Sequence, residues 1–281
     1  MQQNSDNTKY FQVETFIVDD GRKLGKGVRD EDGYFTDVPV AVLGAVTRNK
    51  TSYDTPAFLK QLQGPDSSFY KRLTEGCLFG EYGHPFCDLN SPMGMQRLLN
   101  LEAKKESHHI RSVKVKHIDD LNLDLVLMDT KGTGPYGKYH DEAMLDPSRN
   151  IAYSLRGISS ASVDRRTGVT HKKLVSLVTF DAGVPSGGFK EASKRYMAST
   201  EDLNFGCIEI INKPIGHNDM KIVHNIALET FTDSEMNDLM ESTRVIIGQK
   251  VSYIDTKDKT VVDAETNTSR GLFHALFNRR R

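Results

Sequence analysis

The stretch best suited to attack on an acyl carbon is Tyr153-Ser154-Leu155-Arg156-Gly157, a serine inside an apolar run followed by arginine and glycine. A serine hydroxyl becomes a nucleophile once a neighbouring base takes its proton. Arg156 brings a fixed cation with several N–H donors, and Gly157 permits close backbone approach, so a developing oxyanion beside Ser154 could be held there. A base is available in His84, set in Gly80-Glu81-Tyr82-Gly83-His84-Pro85, where two glycines and a proline confine the imidazole to a tight, irregular segment. Asp181, close to the end of the apolar run 174–184, is a carboxylate that could orient such a ring. Each has a plainer reading beside it: a turn histidine, a strand serine next to a surface arginine, a strand-end aspartate. The lipase-type G-x-S-x-G elbow is absent.

Other chemistries are less well served. His108 and His109 are neighbours, so in a strand they face opposite ways and cannot grip one metal together; His117 shares a face with His109 but lies too far along. No metal site and no cofactor is expected. Cys77, Cys87 and Cys207 are odd in number and lack C-x-x-C spacing, which suits reduced, buried or half-buried thiols. A thiol enzyme built on Cys77 or Cys87 near His84 is an alternative, weakened because Cys87 is only three residues from His84. The formal charge of -1, from 37 basic and 38 acidic residues, argues against a nucleic-acid footprint over the whole chain. No stretch reaches the roughly 18 apolar residues of a membrane span, and the start has no signal-peptide pattern, so a soluble, unsecreted protein without membrane contact is expected.

The elements that must position these residues are mostly strands. Alternation marks one over 10–20, and the β-branched run 38–46 reads as a central strand covered on both faces. Asp54, an early Pro56 and helical spacing predict a helix of about three turns, followed by a second short one over SSFYKRL. The segment MQRLLNLEA fits either a short helix or a strand. HIRSVKVKHI and LDLVLMDT read as an antiparallel pair; NIAYSLRGISSASVD, HKKLVSLVTFDAGV and FGCIEIINKPI add three strands. An acidic helix begins near Thr232, and the chain ends in RGLFHALFNRRR. Strands in succession, without regular helical alternation, predict an α+β fold built on a mixed or antiparallel barrel flanked by helices. The expected division is a disordered start over 1–8, a main domain over 9–230, and an acidic helix with a basic tail over 231–281.

Four segments in order resemble the prohead core proteases of myovirus-type bacteriophages, a family thought to be related in fold to herpesvirus assemblins. They are Arg48-Asn49-Lys50 with Tyr53, Gly80-Glu81-x-x-His84-Pro85, Gly134-Pro135, and Ser154-x-Arg156-Gly157 followed by a strand ending in Asp181-Ala182. The resemblance implies a serine endopeptidase with Ser154 as nucleophile, His84 as general base and Asp181 as the orienting acid, with Glu81 or Asp88 as substitutes for the last. It implies cleavage of scaffold or core proteins, of the major capsid protein and of the enzyme itself, after glutamate, in the host cytoplasm inside the assembling prohead. Glu241 and Glu229 follow apolar residues in the preferred manner and are candidate self-cleavage sites. A homo-oligomer is expected, and the basic end could dock on a scaffold or portal partner or on nucleic acid. The competing class is a capsid or scaffold component that kept the fold and lost activity.

Overall fold

A computed structural model describes residues 8–19, 27–46, 50–83, 85, 87–119, 122–149, 151–183, 204–216, 219, 220, 222, 223, 226, 230–246, 252–254 and 261–263. For 13–19, 204–212 and from 240 onward only the backbone is described. His84, Glu229, the first seven residues, Arg48, Asn49 and the tail from 264 lie outside the described residues.

Within residues 1–239, one compact unit, two sheets form. The first has the order β3 (Thr51–Tyr53), β8 (Thr170–Gly183), β7 (Ala152–Val163), β1 (Lys9–Asp19), β9 (Asn204–Pro214). All its ladders are antiparallel except β3 on β8. The second runs β2 (Phe35–Leu43), β6 (Leu123–Gly132), β5 (Glu106–Ile118), β4 (Phe79–Glu81), antiparallel throughout. The expected barrel does not form, because neither sheet closes on itself or on the other. Closure needs edge strands long enough to pair, and two of the four edges, β3 and β4, have three residues each. The α+β class stands. The run 38–46 differs in place from its expectation: β2 is an edge strand, although both its faces are buried.

The helices follow their local chemistry. Asp54 caps α1 (Thr55–Gln63) by accepting from Ala57 N, and Ser67 caps α2 (Ser68–Thr74) by accepting from Tyr70 N. The first five residues of the undecided MQRLLNLEA stretch form the end of α3 (Pro92–Leu99), where Ser91 accepts from Gly94 N and Pro92 opens the first turn. Helix α4 (Gly137–Leu145) packs against β5 and β6.

Strand alternation divides β7 and β8 between two cores. Tyr153, Leu155, Leu177, Phe180 and Ala182 join Val40, Val126, Met128 and Phe58 in the apolar layer between the sheets. Ile158, Val175 and Val178 face the other way, toward Leu98 and Leu99 of α3 and Met236 and Leu239 of the acidic helix Asp233–Ile246. Buried Glu235 fixes the start of that helix, accepting from Ser68 Oγ and from Thr232 N. The second unit, 240–281, contains β10 (Ser252–Ile254) paired antiparallel with β11 (Val261–Asp263).

Candidate active site

Ser154 and Asp181 are direct partners across the β7–β8 ladder, so their side chains share one face of the sheet. Arg156, two residues along β7, shares that face, and all three residues are at most 1% exposed. Just beyond Arg156 the ladder shifts register, pairing Arg156 with Thr179 but Gly157 with Leu177. A side chain on Gly157 would overlap the Ser176 carbonyl oxygen, so the close approach this glycine permits is to β8.

The Arg156 guanidinium is enclosed by protein acceptors. Its Nη2 donates to Asp181 Oδ1 at 3.0 Å and lies 3.3 Å from Glu81 Oε1, while Nη1 reaches the Leu98 and Asn100 carbonyls at the end of α3. Nε is 3.0 Å from Asp181 Oδ2, close enough for an ion pair but off the line of a hydrogen bond, so Oδ2 accepts none. Glu81 also chelates Arg97, a residue of the last turn of α3, and accepts from Glu102 N at 2.7 Å. The Glu81 N–H donates to Asp181 Oδ1 at 3.1 Å. Arg97, Glu81, Arg156 and Asp181 thus form a chain of alternating charge beneath Ser154, neutral in sum when Asp181 is ionised. Beyond it, Tyr82 bridges to Ala182 and Gly83 N donates to Ala182 O at 2.7 Å, tying the segment that leads to His84 to the residue after Asp181.

Burial governs the protonation of these acids. It pushes the Asp181 carboxyl up to about 7, against the pull of Arg156 and with a further push from Glu81. For Glu81 the same burial is outweighed by the Arg97 hydrogen bond, the Arg156 charge and the Glu102 N–H, which hold it below the ordinary range. Between about pH 4 and pH 7 the folded chain therefore keeps a proton on Asp181 that the unfolded chain has released. Stability from this group is fully present below about pH 4 and is lost as pH rises through about 7, with a slope of up to about 1.4 kcal/mol per pH unit. Glu81 has the opposite sign and acts below its ordinary range. Asp181→Asn is expected to remove the slope, and urea unfolding of both proteins between about pH 5 and pH 8 measures it. Equal slopes in the two would assign the proton elsewhere.

Of the two substitutes for the acid, Asp88 is exposed and accepts from Asn90 N, and Glu81 has both oxygens engaged. Asp181 alone of the three is fully buried with an oxygen that accepts no hydrogen bond. Cys77 is exposed, against its expected burial, and Cys87 is half-buried. Burial raises the Cys87 thiol, the wrong direction for a reactive thiolate. Glu241 falls within the helix Asp233–Ile246.

Sequence reasoning missed Arg97, a residue of an amphipathic helix with no motif around it, and a buried histidine pair. His108 stacks on His140 with ring centroids 5.0 Å apart, and His140 Nε2 meets Tyr153 Oη at 2.9 Å. His140 Nδ1 bonds Asp141, which pairs with Arg29 at 2.5 Å. Burial holds both imidazoles below their ordinary range and hence neutral. Tyr153 carries its hydroxyl into the layer between the sheets, on the face of β7 opposite Ser154, so this pair supports the strand from behind.

No solved structure matches the chain. A capsid maturation protease of Pseudomonas phage phiKZ is 31% identical over 183 residues, covering 61% of this chain and 64% of that protein, just under two thirds of the relative. The profile of the Peptidase S80 family matches residues 14–261, from the first strand through the strand bearing Ser154 to the last short hairpin. With most of its length in that match, the chain belongs to the peptidase S80 family.

Proposed function

We propose that this chain is a serine endopeptidase of phage prohead maturation, cleaving scaffold and capsid proteins after glutamate, and finally itself, inside the assembling shell. The observation that carries the reading is the pairing of Ser154 with Asp181 on adjacent strands, with Asp181 Oδ2 buried and accepting no hydrogen bond. Family membership and the likeness to a phage capsid maturation protease support it.

In this reading His84 takes the Ser154 proton as Oγ bonds to the scissile carbonyl carbon. The tetrahedral oxyanion collapses, the C–N bond breaks, and His84 returns the proton to the leaving amine. Water, deprotonated by the same imidazole, then frees the acyl group from Ser154. Asp181 holds the imidazole through Oδ2, while Arg156 holds Asp181 and Glu81. As an oxyanion donor, with Gly157 alongside, Arg156 would have to exchange one of those carboxylates for the developing charge. Ser154 is 1% exposed, so a peptide gains access only when its cover moves, which suits an enzyme silent until assembly. Homo-oligomer formation is one route to that change. Self-cleavage at Glu241 requires the helix Asp233–Ile246 to unwind first, because a peptidase works on extended backbone.

A fluorophosphonate probe, applied to the chain co-assembled with its prohead proteins, tests the nucleophile without knowledge of the cleavage site. Phosphonylation is expected at Ser154, located by peptide mass mapping, and is expected to disappear in His84→Ala. Labelling of a different serine would remove Ser154 from the mechanism.

A further inference from the structure

Two of the motifs that carry the family resemblance meet at a feature the catalytic reading does not use. Gly134 has a φ of +66°, and a side chain there would collide with Glu106. This turn, Gly134-Pro135-Tyr136, leads directly into α4, with Tyr136 N donating to Glu106 O. It delivers the Tyr136 ring onto Tyr82, two residues before His84: the rings are parallel within 5°, with centroids 5.2 Å apart. Tyr139, in the first turn of α4 and 49% exposed, leans against both at 5.8 and 6.1 Å. Lys105 Nζ lies 5.6 Å from the Tyr136 centroid.

Three aromatic rings gathered at the surface need a reason. In a core they would be buried, yet Tyr82 and Tyr136 are half-buried and Tyr139 is exposed. Their hydroxyls make no hydrogen bond among the described residues, so each retains a donor and an acceptor for a partner. Such a cluster offers large, rigid, amphipathic contact area at low cost in side-chain entropy, and unpaired backbone amides can bond to its phenols. The charge beside it has a sign. Lys104 pairs with Glu102 and Lys138 with Glu142, but Lys105 has no acidic partner among the described residues. The cation over the platform is thus available to a carboxylate of the partner.

We propose that Tyr82, Tyr136 and Tyr139 with Lys105 form a docking platform for an extended, acidic segment of polypeptide, engaged beside the bond to be cut. The site is continuous with the candidate active site through Tyr82 and Gly83, whose backbone is tied to Ala182 next to Asp181. The cleavage role rests on the peptidase reading; binding does not.

The test uses the full chain carrying Ser154→Ala and fluorescein-labelled β-casein, an unfolded acidic polypeptide, followed by fluorescence anisotropy. The parent is expected to bind, and Tyr82→Ala/Tyr136→Ala to bind at least about tenfold more weakly, roughly the loss of one good aromatic contact. Lys105→Glu, an exposed change that needs no repacking, is expected to weaken binding several-fold and to flatten its salt dependence. Should the double variant not fold, Lys105→Glu and Tyr139→Ala carry the test. Absence of binding by the parent, or equal binding by parent, tyrosine variants and Lys105→Glu, would overturn the platform. If tyrosine-dependent binding is found while the wild-type chain, co-assembled with its prohead proteins, neither cuts them nor takes the fluorophosphonate, the platform stands and the peptidase reading falls.

Discussion

Replacing Ser154 by alanine is expected to lower cleavage of co-expressed prohead proteins by about 10⁴-fold or more, the scale of losing a serine nucleophile whose partners act as a unit. The fold should survive, because the change removes one hydroxyl from a site whose charges are paired among Arg156, Asp181, Glu81 and Arg97. Mass spectrometry of new chain termini, in wild type and variant expressed alike, reads both rate and position. New termini following glutamate in the wild type alone would establish the peptidase and its specificity together. Cleavage that continues at an undiminished rate in the variant would take the nucleophile away from β7. A chain that folds, assembles and cuts nothing in either form would favour the shell component without activity.

Arg156→Met is expected to cost about 3–5 kcal/mol of folding stability, among the largest effects available to one substitution here. The side chain is fully buried and balances two carboxylates that have no route to water. With the guanidinium gone, Asp181 can stay neutral by keeping its proton, and Glu81 retains Arg97, so the loss should ease toward acid pH. Adding Asp181→Asn to Arg156→Met should return part of the loss near neutrality, since the pair is coupled. Urea unfolding of the two single variants and the double measures the cycle. A cost below about 1 kcal/mol for Arg156→Met would mean that the cluster is solvated and that this account of it is wrong.

The chain's strands were legible because each has a strong local pattern. The alternation from residue 10 and the runs around Ser154 and Asp181 give β1, β7 and β8, and the caps Asp54 and Ser67 mark their helices. The pairing of distant strands was not legible. Whether β7 and β2 belong to one closed sheet or two open ones depends on which edges meet, and nothing within a strand's own residues records that. The candidate site divides in the same way. Ser154, Arg156 and Asp181 sit in runs whose period sets the face they share, so their meeting needs only one ladder. Arg97 and the His108–His140 pair come from separate elements brought together by packing, and a helical arginine or a strand histidine looks ordinary in sequence. The Gly134-Pro135 turn was visible as a motif, but its purpose, seating Tyr136 on Tyr82, appears only in three dimensions.

The order of the five-stranded sheet has a kinetic consequence. Of the five strands, β1 is made first, yet it lies between β7 and β9, so the strand bearing Ser154 gains its second neighbour only by pairing residues 9–15 with 154–160. Synthesis of the intervening chain takes roughly ten seconds to half a minute, during which β1 has neither of its partners. Long-range pairing of this kind is slow, because the intervening loop must be closed before any contact rewards it. Ser154 is therefore flanked by strands on both sides only after this late pairing is made. On the peptidase reading, cutting must wait until translation has passed both halves of the Ser154–Asp181 ladder, a delay written into strand order.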